Sequence, residues 1–244
     1  MKKLLLFAAL CTLVGVLDRV SAQDAAAVIE RYNKIMDAGQ AYVAKTNIMA
    51  KKSISTMMSR IPCKVILSHP THRMRSEVKI HGYKMRVIID GEKGWMSSGT
   101  GMQPLSAEQI EDFRKKVVTD LFSGMRWDTE GYDFELLEPR TENGKKYDVV
   151  KAIAQKEDAK KKDQTLYFDN ATGLLAFIDP ALTDGNLPIM RTVYGNYKTV
   201  GGCVYPSEVK IMVNGMTFGG VTTTLVSDYP LKDKMFAEPK QVNK

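Results

Sequence analysis

The sequence predicts an α+β fold that is mainly antiparallel β, built on one strongly curved sheet or an open barrel. About ten strand-like segments recur at intervals of roughly ten residues. Turn residues separate them, and amphipathic helices early in the chain need an apolar surface to cover. The 244 residues are 44% hydrophobic and 26% charged, with 2 Trp, 10 Tyr and 8 Phe. This composition excludes disordered, collagen-like and low-complexity chains and is sufficient for a sizeable core.

Residues 1–22 have the pattern of a secretory signal peptide. Two lysines precede the apolar run from Leu4 to Leu17, and Val20-Ser21-Ala22 has the small residues of a cleavage site. The apolar run is shorter than the roughly 20 residues that span a membrane. We therefore expect cleavage after residue 22, a single domain at 23–244, and a soluble protein in an exported compartment. A retained membrane anchor is the alternative.

The first predicted element after this segment is a helix at 24–38, and strands follow it. Apolar residues in the helix recur at spacings of three and four, and Gly39 follows as a C-terminal stop. The next segments, at 61–67, 74–80 and 83–90, alternate apolar and polar residues. A period of two is typical of a sheet with one buried and one solvated face.

A second helix, expected at Ser106–Phe122, interrupts the strands. Ser106 and Gln109 fit a capping box, in which each side chain satisfies a backbone N–H of the first turn. Four apolar residues then form one stripe along the helix: Ile110, Phe113, Val117 and Leu121. Such a stripe indicates a helix that lies on an apolar surface.

The remaining strands are predicted at 134–138, 147–154, 165–169, 174–178, 190–200, 205–213 and 216–227. The charged run at 156–163 is interpreted as a solvated hairpin loop, with a specific headgroup clamp as the alternative. Asn214-Gly215 is a strong hairpin signal. The tail after residue 228 is expected to pack through Leu231 and Phe236.

The sequence contains no motif of a catalytic, cofactor-binding or metal-binding site. It has no nucleophile elbow, phosphate-binding loop or His-Glu-x-x-His sequence. His69-Pro70-Thr71-His72 is expected to be a surface turn. Cys63 and Cys203 fit one disulfide and two buried thiols equally well. We therefore expect no enzyme activity, no cofactor and no metal.

Charge and methionine content indicate the kind of ligand. The formal net charge of +7 favours anionic surfaces, so peripheral contact with an anionic membrane is expected. Nucleic acid is not an expected partner of an exported protein. Methionine occurs 14 times. Its flexible, polarisable side chain suits either an adaptable ligand wall or filler in a core.

The order of elements and two motifs resemble the superfamily of LolA and LolB, the periplasmic carriers of outer-membrane lipoproteins, and its lipoprotein-sorting-like relatives. The motifs are the turn Asp90-Gly91-Glu92-Lys93-Gly94-Trp95 and the strand start Gly202-Cys203-Val204-Tyr205-Pro206. The resemblance spans nearly all of the chain after the signal-like segment. It implies an unclosed half-barrel of about ten to eleven antiparallel strands. Helices would lid its concave face over an apolar cavity for acyl chains.

We therefore expect a periplasmic carrier that binds the acyl chains of lipoproteins or other lipids for transfer towards the outer membrane. Burial would supply the affinity, at about 0.8 kcal/mol per CH₂, and the helix at Ser106–Phe122 would open as a lid. The expected ligand contacts are Met74, Val78, Met85, Val87 and Trp95 on the wall, and Phe113, Val117 and Leu121 on the lid. The alternative is a non-carrier periplasmic sensor or envelope-assembly module that fills its own cavity and binds envelope proteins.

Overall fold

The computed structural model describes residues 24–36, 38, 41, 44–98, 101–121, 127, 129–155, 162–180 and 190–238. The signal-like segment and most of the charged loop at 156–163 lie outside these residues. Two helices are described, α1 at 24–36 and α2 at Ala107–Leu121. The described strands are β1 Asn47–Thr56, β2 Arg60–Ser68, β3 Arg73–Ile80, β4 Tyr83–Asp90, β5 Lys93–Ser98, β6 Gly101–Pro104, β7 Tyr132–Glu142, β8 Lys145–Ala154, β9 Gln164–Asp169, β10 Leu175–Pro180, β11 Met190–Val200, β12 Cys203–Val213 and β13 Met216–Ser227.

These thirteen strands form one sheet in the order β6-β5-β4-β3-β2-β1-β13-β12-β11-β10-β9-β8-β7. The pairings from β1 to β6, from β7 to β11, and between β1 and β13 are antiparallel. Within the described chain the sheet is unclosed, with β6 and β7 as its edge strands. The predicted class, mainly antiparallel strands in one unclosed sheet, is confirmed. The strand count exceeds the predicted ten to eleven.

The additional strands are β1, β5 and β6. In β1, Lys52 interrupts the alternation between Ala50 and Ile54, so the period of two is weak. The strands β5 and β6 are six and four residues long. They contain Gly94 and Pro104, which are depleted in strands. Pairing with neighbouring strands stabilises these segments, and the local sequence pattern does not reveal that pairing.

The chain divides into two compact units. Unit 1 is Met1–Lys34, Trp127–Val193 and Val213–Gly215, and unit 2 is Ile35–Arg126, Tyr194–Met212 and Met216–Lys244. The single domain at 23–244 stays a prediction.

In unit 1, the first part of α1 packs on β8 and β9. The rings of Tyr32 and Phe168 are both fully buried, with their centres 5.4 Å apart. Arg31 forms an ion pair of 2.6 Å with Asp148. Residues 24–34 therefore carry a helix whose apolar side fills the core and whose polar side is tied to the sheet.

The opposite face of the same strands carries aromatic residues covered by an arginine. The rings of Tyr167 and Phe177 stack with their centres 4.2 Å apart. The Arg191 guanidinium lies 4.0 Å from the centre of the Phe177 ring and 2.7 Å from Asp179 and 2.9 Å from Glu142. Hydrogen bonding to Asp179 raises the pKa of Arg191 above its ordinary value. The cation and the rings thus close this face from solvent.

In unit 2, the C-terminal tail covers one face of the sheet, which we call the tail face. Phe236 is fully buried there against strand residues, namely Met49, Ile66 and Ile88. Leu231 packs against the same cluster. The Arg75 guanidinium donates a hydrogen bond of 2.6 Å to the backbone oxygen of Met235. The predicted packing of the tail through Leu231 and Phe236 is confirmed.

The tail face also carries a charge cluster around Glu77. Its carboxylate lies 2.5 Å from Arg75, 3.1 Å from Lys84 and 2.8 Å from Arg86. Burial opposes ionisation of Glu77, but hydrogen bonds from these cations outweigh it and lower its pKa to about 2. This carboxylate is therefore already surrounded by cations of its own sheet.

Cys63 and Cys203 are reduced and do not form a disulfide. Their strands, β2 and β12, are separated by β1 and β13. Because neighbouring strands lie about 4.8 Å apart, β2 and β12 are separated by roughly 14 Å. A disulfide requires Cα atoms about 4.4–6.8 Å apart. The structure therefore favours the second of the two interpretations, separate thiols.

Candidate ligand-binding site

Four of the predicted wall residues lie together on the face opposite the tail, which we call the helix face. In the pairing of β3 with β4, Val78 lies opposite Met85, and Val87 is two residues further along β4. Met74 lies opposite Ile89, which is two residues beyond Val87 on β4. Directly opposed residues of an antiparallel pair project to the same side. Met74 is buried whereas Met85 is 42% exposed, so the face is covered at one end and open at the other.

Trp95 does not belong to this wall, which corrects its predicted place. Trp95 pairs with Ile88, whereas Gly94 pairs with Ile89, so the indole lies on the tail face. There it packs against the buried cluster that includes Ile88 and Phe236. The turn before β5 sets the register of β5 against β4. The alternation within β4 alone does not specify this register.

Helix α2 lies on the helix face and begins as predicted. The backbone N–H of Ser106 donates to the side chain of Gln109 at 2.9 Å, and the backbone N–H of Gln109 donates to the Ser106 hydroxyl at 3.2 Å. This is the predicted capping box. The helix spans Ala107–Leu121, close to the predicted Ser106–Phe122.

Glycine at position 94 permits the contact between α2 and the sheet. Ile110 is buried, and its Cγ1 atom lies 2.9 Å from where a Cβ at Gly94 would stand. Leu105 is 3.0 Å from the same point. The predicted turn motif around residues 90–95 therefore has a physical role, because only a residue without a Cβ lets the helix come so close.

Arg114 ties α2 to two turns at the covered end of the helix face. Its guanidinium donates to the backbone oxygen of His72 at 3.3 Å and to that of Gly91. The Nε of Arg114 is buried and has no hydrogen-bond partner among the described residues. Phe113 is half-buried on the same helix. The side chains of the two other predicted lid residues, Val117 and Leu121, lie outside the described residues.

A cavity of about 530 Å³ lies between α2 and the covered ends of β2 and β3. Ligand pockets commonly have volumes of ~300–1,000 Å³. Leu67 and Met74 provide its apolar floor. The other lining residues are polar or charged: Ser68, His69, His72, Arg73, Glu111, Arg114 and Lys115.

The rim of this cavity is cationic. Arg73 is balanced by Asp90 at 2.7 Å and Asp233 at 2.9 Å. Arg114 and Lys115 share one carboxylate, that of Glu111, at 4.0 and 3.6 Å. An anionic group at the rim would be attracted to these two side chains.

The His69–His72 segment forms the predicted surface turn, in which the backbone N–H of His72 donates to the backbone oxygen of His69 at 3.2 Å. Burial, with a smaller contribution from His72, lowers the pKa of His69. At neutral pH, His69 therefore adds no charge to the rim. Among the described residues, no group of three His, Cys, Asp or Glu side chains could hold a metal ion. None of the described helices is long and apolar enough to span a membrane.

Sequence reasoning located the floor through Met74 but missed Leu67, Arg114 and Lys115. Leu67 shares the alternation of 61–67 and could have been included. The two basic residues follow Phe113 directly, but their position at a rim depends on how α2 is rotated on the sheet. Gly94 fixes that rotation through a contact between segments distant in sequence.

No protein-family model matches the chain, and no curated protein matches it. Solved structures with a similar fold include a LolA superfamily protein from Nitrosomonas europaea. That protein is 11% identical with a TM-score of 0.48, over 88% of this chain and 97% of that chain. A DUF1329 family protein from Desulfovibrio piger is 13% identical with a TM-score of 0.48, over 86% and 97%.

A domain from Vibrio parahaemolyticus named for outer membrane lipoprotein sorting is 13% identical with a TM-score of 0.46, over 84% of this chain and 95% of that chain. The resemblance to LolA-like proteins noted in the sequence thus recurs among solved structures, as a likeness of fold.

Proposed function

We propose that the protein is a periplasmic carrier whose helix-face cavity holds an acyl chain with an anionic head group, for transfer towards the outer membrane. One observation carries the proposal: the cavity under α2 combines an apolar floor with a cationic rim. Lipoprotein acyl chains and free or esterified fatty acids share this chemistry. The proposed step is binding and release, without covalent chemistry.

The apolar part of the ligand would lie along the helix face from Met74 towards Met85. Val78 and Val87 occupy the same face between these two residues. The rise of about 3.3 Å per residue gives roughly 13 Å from Met74 to Val78. Burial of ten CH₂ groups would contribute roughly 8 kcal/mol before the cost of association is subtracted. The exposed end at Met85 would leave room for chains of different length.

The anionic head would lie at the rim next to Arg114 and Lys115. The buried Nε of Arg114 has no hydrogen-bond partner among the described residues, so a carboxylate or phosphate oxygen can accept from it. Hydrogen bonds to charged groups contribute about 1.5–3 kcal/mol each. The rim therefore favours lipids with a negative head over neutral ones.

Helix α2 would act as the lid. It covers the cavity through Ile110 and Arg114, both of which contact the sheet near one end. Opening of a single helix is expected to be much less costly than unfolding of the strands. Replacement of Val117 or Leu121 by Asp is expected to reduce lipid uptake without changing strand content.

The first test is native mass spectrometry of the protein purified from a periplasmic fraction, followed by organic extraction. A bound mass that extracts as a lipid or an acylated peptide supports the carrier and identifies its cargo. A protein without bound mass that also fails to bind a fluorescent fatty acid refutes the proposal. That result would favour the alternative module that fills its own cavity.

A variant pair tests the position of the head group. Lys115→Glu reverses charge at the rim, and Lys146→Glu makes the same change at an exposed position in unit 1. Lys115→Glu is expected to weaken fatty-acid binding at least about tenfold, as loss of a charged hydrogen bond predicts, with little effect from Lys146→Glu. Equal affinities for the two variants would place the head group elsewhere.

A further inference from the structure

Large apolar side chains are exposed at one end of the strands of unit 2. Five of them lie in or next to hairpin turns and form what we call the apolar tip: Met57, Met58, Tyr83, Met216 and Phe218. Met58 is 97% exposed, and each of the others is more than half exposed. Exposed apolar groups concentrated in this way commonly mark an interaction surface.

The strand register brings the tip residues to the same end of the sheet. Thr56, which precedes Met57, lies opposite Gly219, which follows Phe218. On the other side of β1 and β2, the hairpin between β3 and β4 turns at His81 and Gly82, directly before Tyr83. The turns at 57–59 and 81–82 and the start of β13 at Met216 therefore lie at the same end of the strands of unit 2. This end is opposite to the one where Arg114 anchors α2.

The strands that bear the tip are strongly basic. Residues 51–64 and 77–86 contain seven Lys or Arg residues and one carboxylate, Glu77. Lys79 lies directly opposite Lys84 in the pairing of β3 with β4, an arrangement that is unfavourable without a counter-ion. The Glu77 carboxylate lies 3.1 Å from Lys84 and is shared with Arg75 and Arg86, so it is not a dedicated counter-ion for Lys79. Within the described residues, Lys79 and Arg60 form no salt bridge.

We propose that the apolar tip docks on an anionic lipid bilayer. Methionine adapts to a disordered apolar environment, and Tyr suits the boundary between headgroups and acyl chains. The basic side chains behind the tip would contact phosphate groups. Near an anionic surface each such side chain increases binding about fivefold. A bilayer is favoured over a second copy of this chain, because two such ends would bring like charges together.

This inference is independent of the proposed acyl cavity. None of the five tip residues lines that cavity. Membrane docking and lipid loading can therefore be measured separately, and a variant can lose one and keep the other.

The test is co-sedimentation of the purified protein with vesicles of phosphatidylcholine alone or with 30% phosphatidylglycerol. Two double variants probe the tip: Met57→Gln with Met58→Gln, and Arg60→Gln with Lys79→Gln. Val226→Thr is the apolar control, since Val226 is exposed at the far end of β13. Lys145→Gln with Lys146→Gln is the charge control, because both lysines are exposed in unit 1 and the change in net charge is the same.

We expect binding to the anionic vesicles only, weakened roughly tenfold or more in either tip variant and unchanged in the controls. Binding should fall in 0.5 M salt, because the charges are exposed. Fatty-acid binding should be unchanged in the methionine variant, which also shows that this variant is folded. Equal vesicle binding by tip and control variants overturns the inference. Dimerisation that is abolished by the methionine change would also overturn it, by assigning the tip to a second copy.

Discussion

Replacement of Gly94 by Ala tests whether the close approach of α2 to the sheet determines the site. An added Cβ would stand 2.9 Å from Ile110 Cγ1, 3.0 Å from Leu105 and 3.2 Å from Ile110 Cδ1. Forcing a methyl group into a packed contact costs about 1–3 kcal/mol. Loss of glycine flexibility from the unfolded chain offsets about 0.4–1 kcal/mol. The expected net loss in the free energy of unfolding is therefore about 1–2 kcal/mol.

The assay is urea denaturation of four proteins: the unaltered protein, Gly94→Ala, Ile110→Ala and the double variant. Ile110→Ala alone should cost about 2–5 kcal/mol because it leaves a cavity under α2. In the double variant the new methyl occupies part of that cavity. The two changes should therefore be non-additive by about 1 kcal/mol in the favourable direction.

Gly195→Ala is the matched control, because a Cβ there has no atom within 4 Å and lies in a strand of unit 2. It should be neutral or slightly stabilising. If α2 is the proposed lid, fatty-acid binding should weaken in Gly94→Ala and not in Gly195→Ala, since only the first displaces this helix. Equal stability of the two glycine variants, or strict additivity with Ile110→Ala, would refute the reasoning.

Three further predictions concern single side chains. Arg114→Met should increase hydrogen exchange of α2 amides, with a loss of about 1–3 kcal/mol in local stability; unchanged exchange would contradict its anchoring role. The pKa of Glu77 is lowered to about 2, so its stabilising contribution is present above pH 4.5, the ordinary pKa, and is lost as the pH falls towards 2. The stability difference between the unaltered protein and Glu77→Gln should shrink over that range in acid denaturation. Burial raises the pKa of Cys203 to about 11, so in a Cys63→Ser variant the Cys203 thiol should react with iodoacetamide at pH 8 only after unfolding.

The elements with a strong local signal were predictable from the sequence. The alternation in β3 and β4, the capping box at Ser106 and the Asn214-Gly215 turn depend on neighbouring residues and appear as expected. Asn214 and Gly215 both have positive φ, 49° and 79°, as the predicted hairpin turn requires. Of the missed strands, β5 and β6 are themselves short, and β1 has a weak alternation and pairs partly with the distant β13, so no local period reveals them.

The site was less predictable because it depends on register and on helix rotation. Alternation within β4 is unambiguous, but the turn at 91–92 decides whether Gly94 or Trp95 faces the helix. A shift of one residue exchanges the two faces. The cationic rim likewise follows from where Ile110 meets Gly94, since that contact sets the direction of Arg114. These are tertiary contacts, and the local sequence does not contain them.

The methionines separate into two groups whose difference bears on function. Met36, Met49 and Met74 are buried and act as core filler or cavity floor. Met57, Met58 and Met216 are exposed beside basic residues, where a filler role cannot apply. Burial supports the filler interpretation for Met36 and Met49, and the adaptable ligand wall stays a prediction. In the proposed carrier, Met74 would line the floor for the cargo, and Met57, Met58 and Met216 would belong to a separate docking surface at the other end of the strands of unit 2.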